Sequence, residues 1–232
     1  THVTVGQRVF GIGQATFASS AIADARLVTP IVGDMSVEEA ATIPLVFLTA
    51  WYALHDLGSM KSGERVLIHA AAGGVGMAAV QLAQLHHAEV FGTASAPKWG
   101  VLREMGLDDA HIGSSRDLSF ADGVRTTTGE GGVDIVLNAL AREFIDESFS
   151  LLREGGRFLE MGKTDVREQS WVSQHHPGMF YASFDLMEAG QDRIQEMLVS
   201  LSELFATRAI KPLPHLTFPM SRIAHVFRYM AQ

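Results

Sequence analysis

Several groups of residues in this chain have types and spacings that could carry chemistry. The first is Arg65-Val66-Leu67-Ile68-His69-Ala70-Ala71-Ala72-Gly73-Gly74-Val75-Gly76, where a short apolar run meets small residues and glycines ahead of an alanine-rich segment. Ala72, Gly73, Gly74, Val75 and Gly76 would present backbone N–H groups at the start of a helix, where the positive end of the helix dipole favours the pyrophosphate of a dinucleotide. Aligned to G-x-G-x-x-G the positions are Ala71, Gly73 and Gly76, so the first glycine is replaced by alanine. A glycine-rich connection in any α/β protein is the structural alternative.

The second group is Gly162-Lys163 and Asp185. Each lies just past an apolar strand-like stretch. A cation and a carboxylate at neighbouring strand ends could polarise a carbonyl or relay a proton. A surface ion pair, or a helix cap at Asp185, accounts for them equally well. The third group concerns the ribose of a bound dinucleotide. An acid ending the second strand would accept from the 2′-OH and favour NAD. Here Glu89 to Ala94 ends without one and is followed by Ser95 and Lys98, with Arg116 after the next strand. Singly each is an ordinary solvated residue; together with the missing acid they favour NADPH over NADH. Asn138, the only asparagine, ends the apolar run Val133 to Leu137 and could bond a ribose or carboxamide, or cap the next helix.

The elements that must position these residues alternate. Strands are expected at 65–69, 89–94, 110–112, 133–138, 156–161 and 178–184. Helices are expected at 75–86, 97–105, 117–127, 143–152, 192–208 and near 221–231. Such alternation predicts an α/β fold with a doubly wound parallel sheet of the Rossmann kind. Residues 1–33, with Arg8 to Gly13 and Phe17 to Leu27 rich in β-branched and aromatic residues, predict antiparallel strands in a different, mainly β layer. Ser36, followed by Glu38 and Glu39, is a helix start, and Pro44 opens a second helix running to Leu54 with Gly58 past its end.

Composition narrows the classes. The 232 residues are 47% hydrophobic and 19% charged, enough apolar material for a sizeable core. A net charge of -8 argues against a nucleic-acid surface and against anionic lipid. The longest apolar stretch, Ala40 to Leu54, is too short to span a bilayer and contains Pro44. With no cysteine, disulfides and thiolate metal sites are excluded. Gly162-Lys163-Thr164 fails as a Walker loop, because Arg157 stands where that motif needs glycine. No G-x-S-x-G elbow is present. The pairs His86-His87 and His175-His176 are surface histidines more readily than metal ligands. The chain opens at Thr1 inside a strand-like stretch, which suggests an excised piece of something longer.

Phe47 to Leu54, His69 to Ala79, Val136-Leu137-Asn138 and above all Glu160-Met161-Gly162-Lys163-Thr164-Asp165 closely resemble the enoyl reductase domain of polyketide synthases. That domain belongs to the zinc-independent, quinone-oxidoreductase-like branch of the medium-chain dehydrogenase/reductases. The resemblance covers essentially the whole chain. It implies NADPH-dependent reduction of an enoyl thioester carried on an acyl carrier protein, beside neighbouring synthase domains in a cytoplasmic assembly, with a homodimer as one arrangement. It places Lys163 and Asp185 as proton donors, Thr49 near the nicotinamide, Asn138 near the ribose, Gly162 in the cofactor-binding set, and Ser95, Lys98 and Arg116 around the 2′-phosphate. It also implies domains at 1–50 (the tail of a truncated, GroES-like substrate-side domain with its connecting helix), 51–185 (the Rossmann domain) and 186–232 (C-terminal helices and a returning strand). The alternatives are a stand-alone NADPH quinone or enone reductase, and a non-catalytic NADPH-binding module.

Overall fold

The computed structural model describes residues 2–230, so Thr1 and the end of the last expected helix at Ala231 lie outside it. The chain divides into two compact units, one formed by Thr1–Leu45 with Gln191–Gln232 and the other by Val46–Gly190.

In the first unit, β1 (Val9–Gly11) pairs antiparallel with β2 (Val28–Pro30). The strand expected within Phe17 to Leu27 is not there. Only Val28–Pro30 finds a partner, and most of the aromatic and β-branched stretch before it runs as irregular chain. Helix α1 (Val37–Ala41) starts where expected, on a capping box. Glu39 N–H donates to Ser36 Oγ at 3.1 Å, and Ser36 N–H donates to the Glu39 carboxylate at 2.8 Å.

Helix α2 (Pro44–Trp51) opens on proline, whose missing N–H costs nothing at a first helical position. It continues as a π-helical turn over Tyr52–Leu57 before Gly58. The second unit is then built on six strands: β3 (Arg65–Ile68), β4 (Glu89–Ala94), β5 (Ile112–Ser114), β6 (Val133–Asn138), β7 (Leu152–Glu160) and β8 (Phe180–Ser183). The connecting helices are α3 (Gly74–Leu85), α4 (Trp99–Glu104), α5 (Ser119–Thr128), α6 (Glu143–Ser150) and α7 (Gln169–His175). The spatial order is β5-β4-β3-β6-β7-β8 and every neighbouring pair is parallel. This is the doubly wound Rossmann sheet, with its order reversing between β3 and β6. Strands buried on both faces are mostly apolar, and β6 is buried at every position, with its two polar residues, Asp134 and Asn138, near its ends and hydrogen-bonded.

Most boundaries shift by a residue or two, and some shifts have a local cause. The third strand of this sheet falls at Ile112–Ser114, because Asp109–His111 is taken by a 3-10 turn capped by Asp108. The helix before β7 stops at Ser150, and β7 starts already at Leu152, with a register irregularity opposite Val133 to Ile135. Helix α7 is unanticipated.

At the amino ends of these strands the charges pair with one another. Arg157 Nη2 meets Glu64 at 2.5 Å while its Nε donates to Gly58 O at 2.9 Å. Arg65 donates from its backbone N–H to Asp134 at 2.8 Å and from Nε to Glu89 at 2.7 Å, and Arg153 pairs with Asp134. Arg157 holds the Glu64 carboxyl below its ordinary range even though burial pushes it up.

The last two helices are α8 (Gly190–Ala206), which belongs to the first unit from Gln191 on, and α9 (Ile223–Met230), also in that unit. The strand expected to return within 186–232 is not found among the described residues there, and 207–219 carry neither helix nor strand. Among the described residues no helix is long and apolar enough to cross a membrane.

Candidate active site

Because the six strands are parallel, their carboxyl ends share one edge of the sheet, and the crevice of such a fold opens where the order reverses. The loop after β3 supplies the cradle. Ala70 adopts a left-handed conformation, φ 50°, and makes the turn that the first glycine of the motif would ordinarily make. That explains why alanine is acceptable at position 71, which is not among the positive-φ residues.

The remaining glycines have separate reasons. A Cβ on Gly76 would lie 2.4 Å from Ala70 O and 2.6 Å from Ala71 Cα, so helix and turn touch backbone to backbone there. A Cβ on Gly74 would meet Val46 Cγ1 of α2 at 2.9 Å. Gly73 is exposed, with only Ala70 O near its absent Cβ, at 3.1 Å. It is the N-cap of α3 and has no side chain to cap it. Met77 N–H is the first to find its acceptor, Gly73 O at 2.8 Å, which leaves the N–H groups of Gly74, Val75 and Gly76 at the helix mouth. Ala72 is half-buried in the same turn, and Thr49 is half-buried one turn after Val46 on α2.

Asn138 ends β6 fully buried. Its Nδ2 donates to Leu140 O at 2.8 Å and to Glu160 Oε2 at 2.6 Å, and its Oδ1 accepts from Leu140 N–H at 3.1 Å. The helix-cap alternative fails, since α6 is preceded by Arg142 as its N-cap.

Glu160, at the end of β7, is 1% exposed and was not among the expected site residues. Burial pushes its carboxyl above the ordinary range, against the hydrogen bonds from Asn138 and the Gly162 N–H, the latter at 2.5 Å. Its signal in the sequence is a lone acid inside Phe158-Leu159-Glu160-Met161, a run otherwise apolar.

Lys163 and Asp185 are brought together. Lys163 Nζ donates to Phe184 O at 2.6 Å and lies 3.6 Å from Asp185 Oδ2. Both side chains are more than half exposed. Asp185 also caps the 3-10 turn Leu186–Ala189, accepting from Met187 N–H at 3.0 Å, so the ion pair and the cap are both present. At the other end of the edge, Ala94 of β4 pairs with Ser114 of β5, and Ser95, Lys98 and Arg116 follow directly. Ser95 is half-buried and the two cations are exposed. Arg116 N–H donates to Ser114 Oγ at 3.1 Å, which fixes its backbone.

His69, the first residue after β3, is also fully buried and unanticipated as a site neighbour. Ser148 Oγ donates to Phe144 O at 2.6 Å, so it accepts from His69 Nε2 at 2.7 Å, and His69 Nδ1 then accepts from Thr93 Oγ1 at 2.9 Å. Burial lowers the imidazole to about 3, and the ring is a neutral structural link. His176 stacks on Phe149 and His175 on Trp171, so this pair is absorbed in aromatic packing.

The zinc-binding dehydrogenase family matches residues 74–202. The pikromycin polyketide synthase component PikAII of Streptomyces venezuelae is 51% identical over 232 residues, spanning all of this chain and 6% of that protein. The structure of CurK enoyl reductase is 44% identical, with a TM-score of 0.85 over 90% of this chain and 63% of that one. The nucleotide-binding subdomain of the enoylreductase domain of PpsC from Mycobacterium tuberculosis is 35% identical, with a TM-score of 0.63 over 72% of this chain and 96% of its own. The chain thus spans a small part of the synthase it matches. The family's description names zinc, but this chain has no cysteine, and no three His, Asp or Glu side chains among the described residues are grouped to hold a metal. Its residues do not fit a zinc site. With a glycine cradle at the switch point of a parallel six-stranded sheet and these likenesses along its length, the chain belongs to the zinc-binding dehydrogenase family and within it resembles the enoyl reductase domains of polyketide synthases.

Proposed function

We propose that this chain carries the cofactor-binding core and the proton-donating groups of an NADPH-dependent enoyl reductase. Its substrate would be an α,β-unsaturated acyl thioester presented by an acyl carrier protein inside a polyketide synthase. The observation that carries the reading is the arrangement along one sheet edge. A helix mouth with an unshielded glycine cradle, a serine with two exposed cations, and a lysine–aspartate pair all follow the carboxyl ends of parallel strands. The cradle fits a diphosphate because Gly73 adds no side chain there, and Ser95, Lys98 and Arg116 fit a 2′-phosphate by charge and hydrogen-bonding capacity.

When bound, NADPH would supply a hydride to the β-carbon. The chain's own residues would do the rest. Thr49 and Gly162 would line the nicotinamide and its ribose. Asn138, expected at the ribose, is fully buried with its amide committed to Leu140 and Glu160, and would support the site from beneath. Lys163 would hold a proton at Nζ for the α-carbon of the resulting enolate. Asp185 would keep that ammonium group oriented. The PpsC subdomain, named for nucleotide binding, and the enoyl reductase relatives support this reading.

The test is stopped-flow loss of NADPH absorbance with a crotonyl-type thioester, using the intact polypeptide that contains this chain. Turnover is expected, with kcat lowered about 100-fold by Lys163→Ala. Reduction of quinones but not thioesters would replace the reading with a quinone reductase. NADPH binding without any turnover would replace it with a binding module.

A further inference from the structure

We propose that Glu160 is a positioning residue whose carboxylate ties Asn138 to Gly162 and so fixes the loop that presents Lys163. The inference rests on the reductase reading above and extends it to a residue outside the expected site.

The loop Met161 to Asp165 is held at both ends. At its start, Glu160 Oε1 accepts from Gly162 N–H at 2.5 Å and Oε2 accepts from Asn138 Nδ2 at 2.6 Å. At its end, Asp165 Oδ2 accepts from Arg142 N–H at 2.6 Å and Oδ1 pairs with Arg167 Nη1 at 2.7 Å. Arg167 in turn donates its backbone N–H to the Tyr181 hydroxyl of β8 at 3.0 Å. Lys163 sits between these anchors, with Nζ already committed to Phe184 O. Arg142 adopts φ 61°, a left-handed conformation that a side chain disfavours, and its N–H is the one that Asp165 accepts from.

A purely structural explanation would leave the choice of glutamate odd. Phe158 and Leu159 are fully buried, and an apolar side chain after them would avoid the cost of burying a carboxylate. The carboxylate is not spent on a cation either. Both oxygens are taken by N–H donors, one from the side-chain amide of Asn138 that ends β6 and one from the backbone of the loop after β7. Among charged neighbours, Asp165 opposes its ionisation and Arg167 favours it. What the arrangement achieves is geometric: one side chain sets the distance between the end of β6 and the loop that carries the proposed proton donor.

The experiment uses the intact polypeptide and four variants: Glu160→Met, Glu160→Gln, Lys163→Ala and the double Glu160→Met with Lys163→Ala. Glu160→Met, which fills the space but accepts nothing, should lower kcat about 30-fold with little change in KM for the thioester, since an ångström-scale misplacement costs up to about 100-fold. Glu160→Gln keeps an acceptor for Gly162 N–H but turns an NH2 group toward the Asn138 Nδ2 donor, so it should recover only part of that loss. The double variant should be no slower than Lys163→Ala alone, within about twofold, because coupled residues are non-additive.

Amide exchange at Gly162, measured without cofactor or substrate, should quicken about tenfold or more in Glu160→Met and return in Glu160→Gln. If the methionine variant does not fold, Glu160→Asp, one methylene too short to reach both partners, reads the same cycle. Independent, multiplicative losses in the double variant, or unchanged exchange at Gly162, would overturn the proposal. So would an effect confined to NADPH affinity, which would move the role to Asn138. A wild-type protein that fails to reduce the thioester would sink the reductase reading itself, while exchange at Gly162 would still report whether the carboxylate holds the loop.

Discussion

At the residue scale the glycines after β3 separate into two kinds, and substitution should tell them apart. Gly76→Ala puts a methyl against backbone atoms of Ala70 and Ala71 that cannot rotate away. It should lose about 2 kcal/mol or more of stability in urea unfolding, at the upper end of overpacking effects. Gly73→Ala meets only Ala70 O, at 3.1 Å, so it should unfold at nearly the wild-type urea concentration. Its penalty should appear in weaker dinucleotide binding by fluorescence titration, because a methyl would stand at the helix mouth. Equal stability losses in the two variants would refute this division of roles. The same scale shows where the sequence falls silent. A glutamate inside an apolar strand advertises that it needs donors, but nothing local says they are Gly162 and an asparagine 22 residues away. His69 was equally unreadable, since its partners Thr93 and Ser148 come from β4 and α6.

At the element scale the sheet was legible because its buried strands read as mainly apolar runs, and Ser36, Pro44 and the Gly73-Gly74 pair mark helix starts with a mechanism. Helix α7 was not legible. It is short, and its N-cap Glu168 makes no side-chain cap bond. Phe17 to Leu27 misled because strand-forming composition records a preference, while pairing needs a partner, and only Val28–Pro30 has one. The pairing of β7 to its neighbours carries its own prediction. Removing Arg157 leaves Glu64 charged and 8% exposed, so Arg157→Leu should destabilise by about 3 kcal/mol, as expected for breaking a buried pair. Because the folded Glu64 carboxyl sits below its ordinary value of 4.5, its contribution is present above that pH and is lost as pH falls through the depressed value. The stability gap between wild type and Glu64→Gln should therefore be full at about pH 6 and close as acidification proceeds below the carboxyl's ordinary 4.5. A gap that widened on acidification would reverse the assignment.

At the scale of the whole molecule a net charge of -8 contrasts with the local cations Lys98 and Arg116 after β4 and β5. Reversing both to glutamate should weaken NADPH about tenfold or more, as loss of charge-assisted hydrogen bonds would, and leave NADH almost unchanged. Added salt should likewise weaken NADPH more than NADH. Parallel losses for the two dinucleotides would remove these residues from phosphate selection. The parallel sheet separates its duties along the strand direction. Glu64, Arg65, Asp134, Arg153 and Arg157 fasten one rim, while the loops of the opposite rim, with the start of α3, hold the groups proposed for the phosphates and the proton donor. The fastening is remote from those loops, so cofactor preference and substrate acceptance can drift there without loosening the scaffold. A family built this way can diversify its chemistry while keeping one foundation.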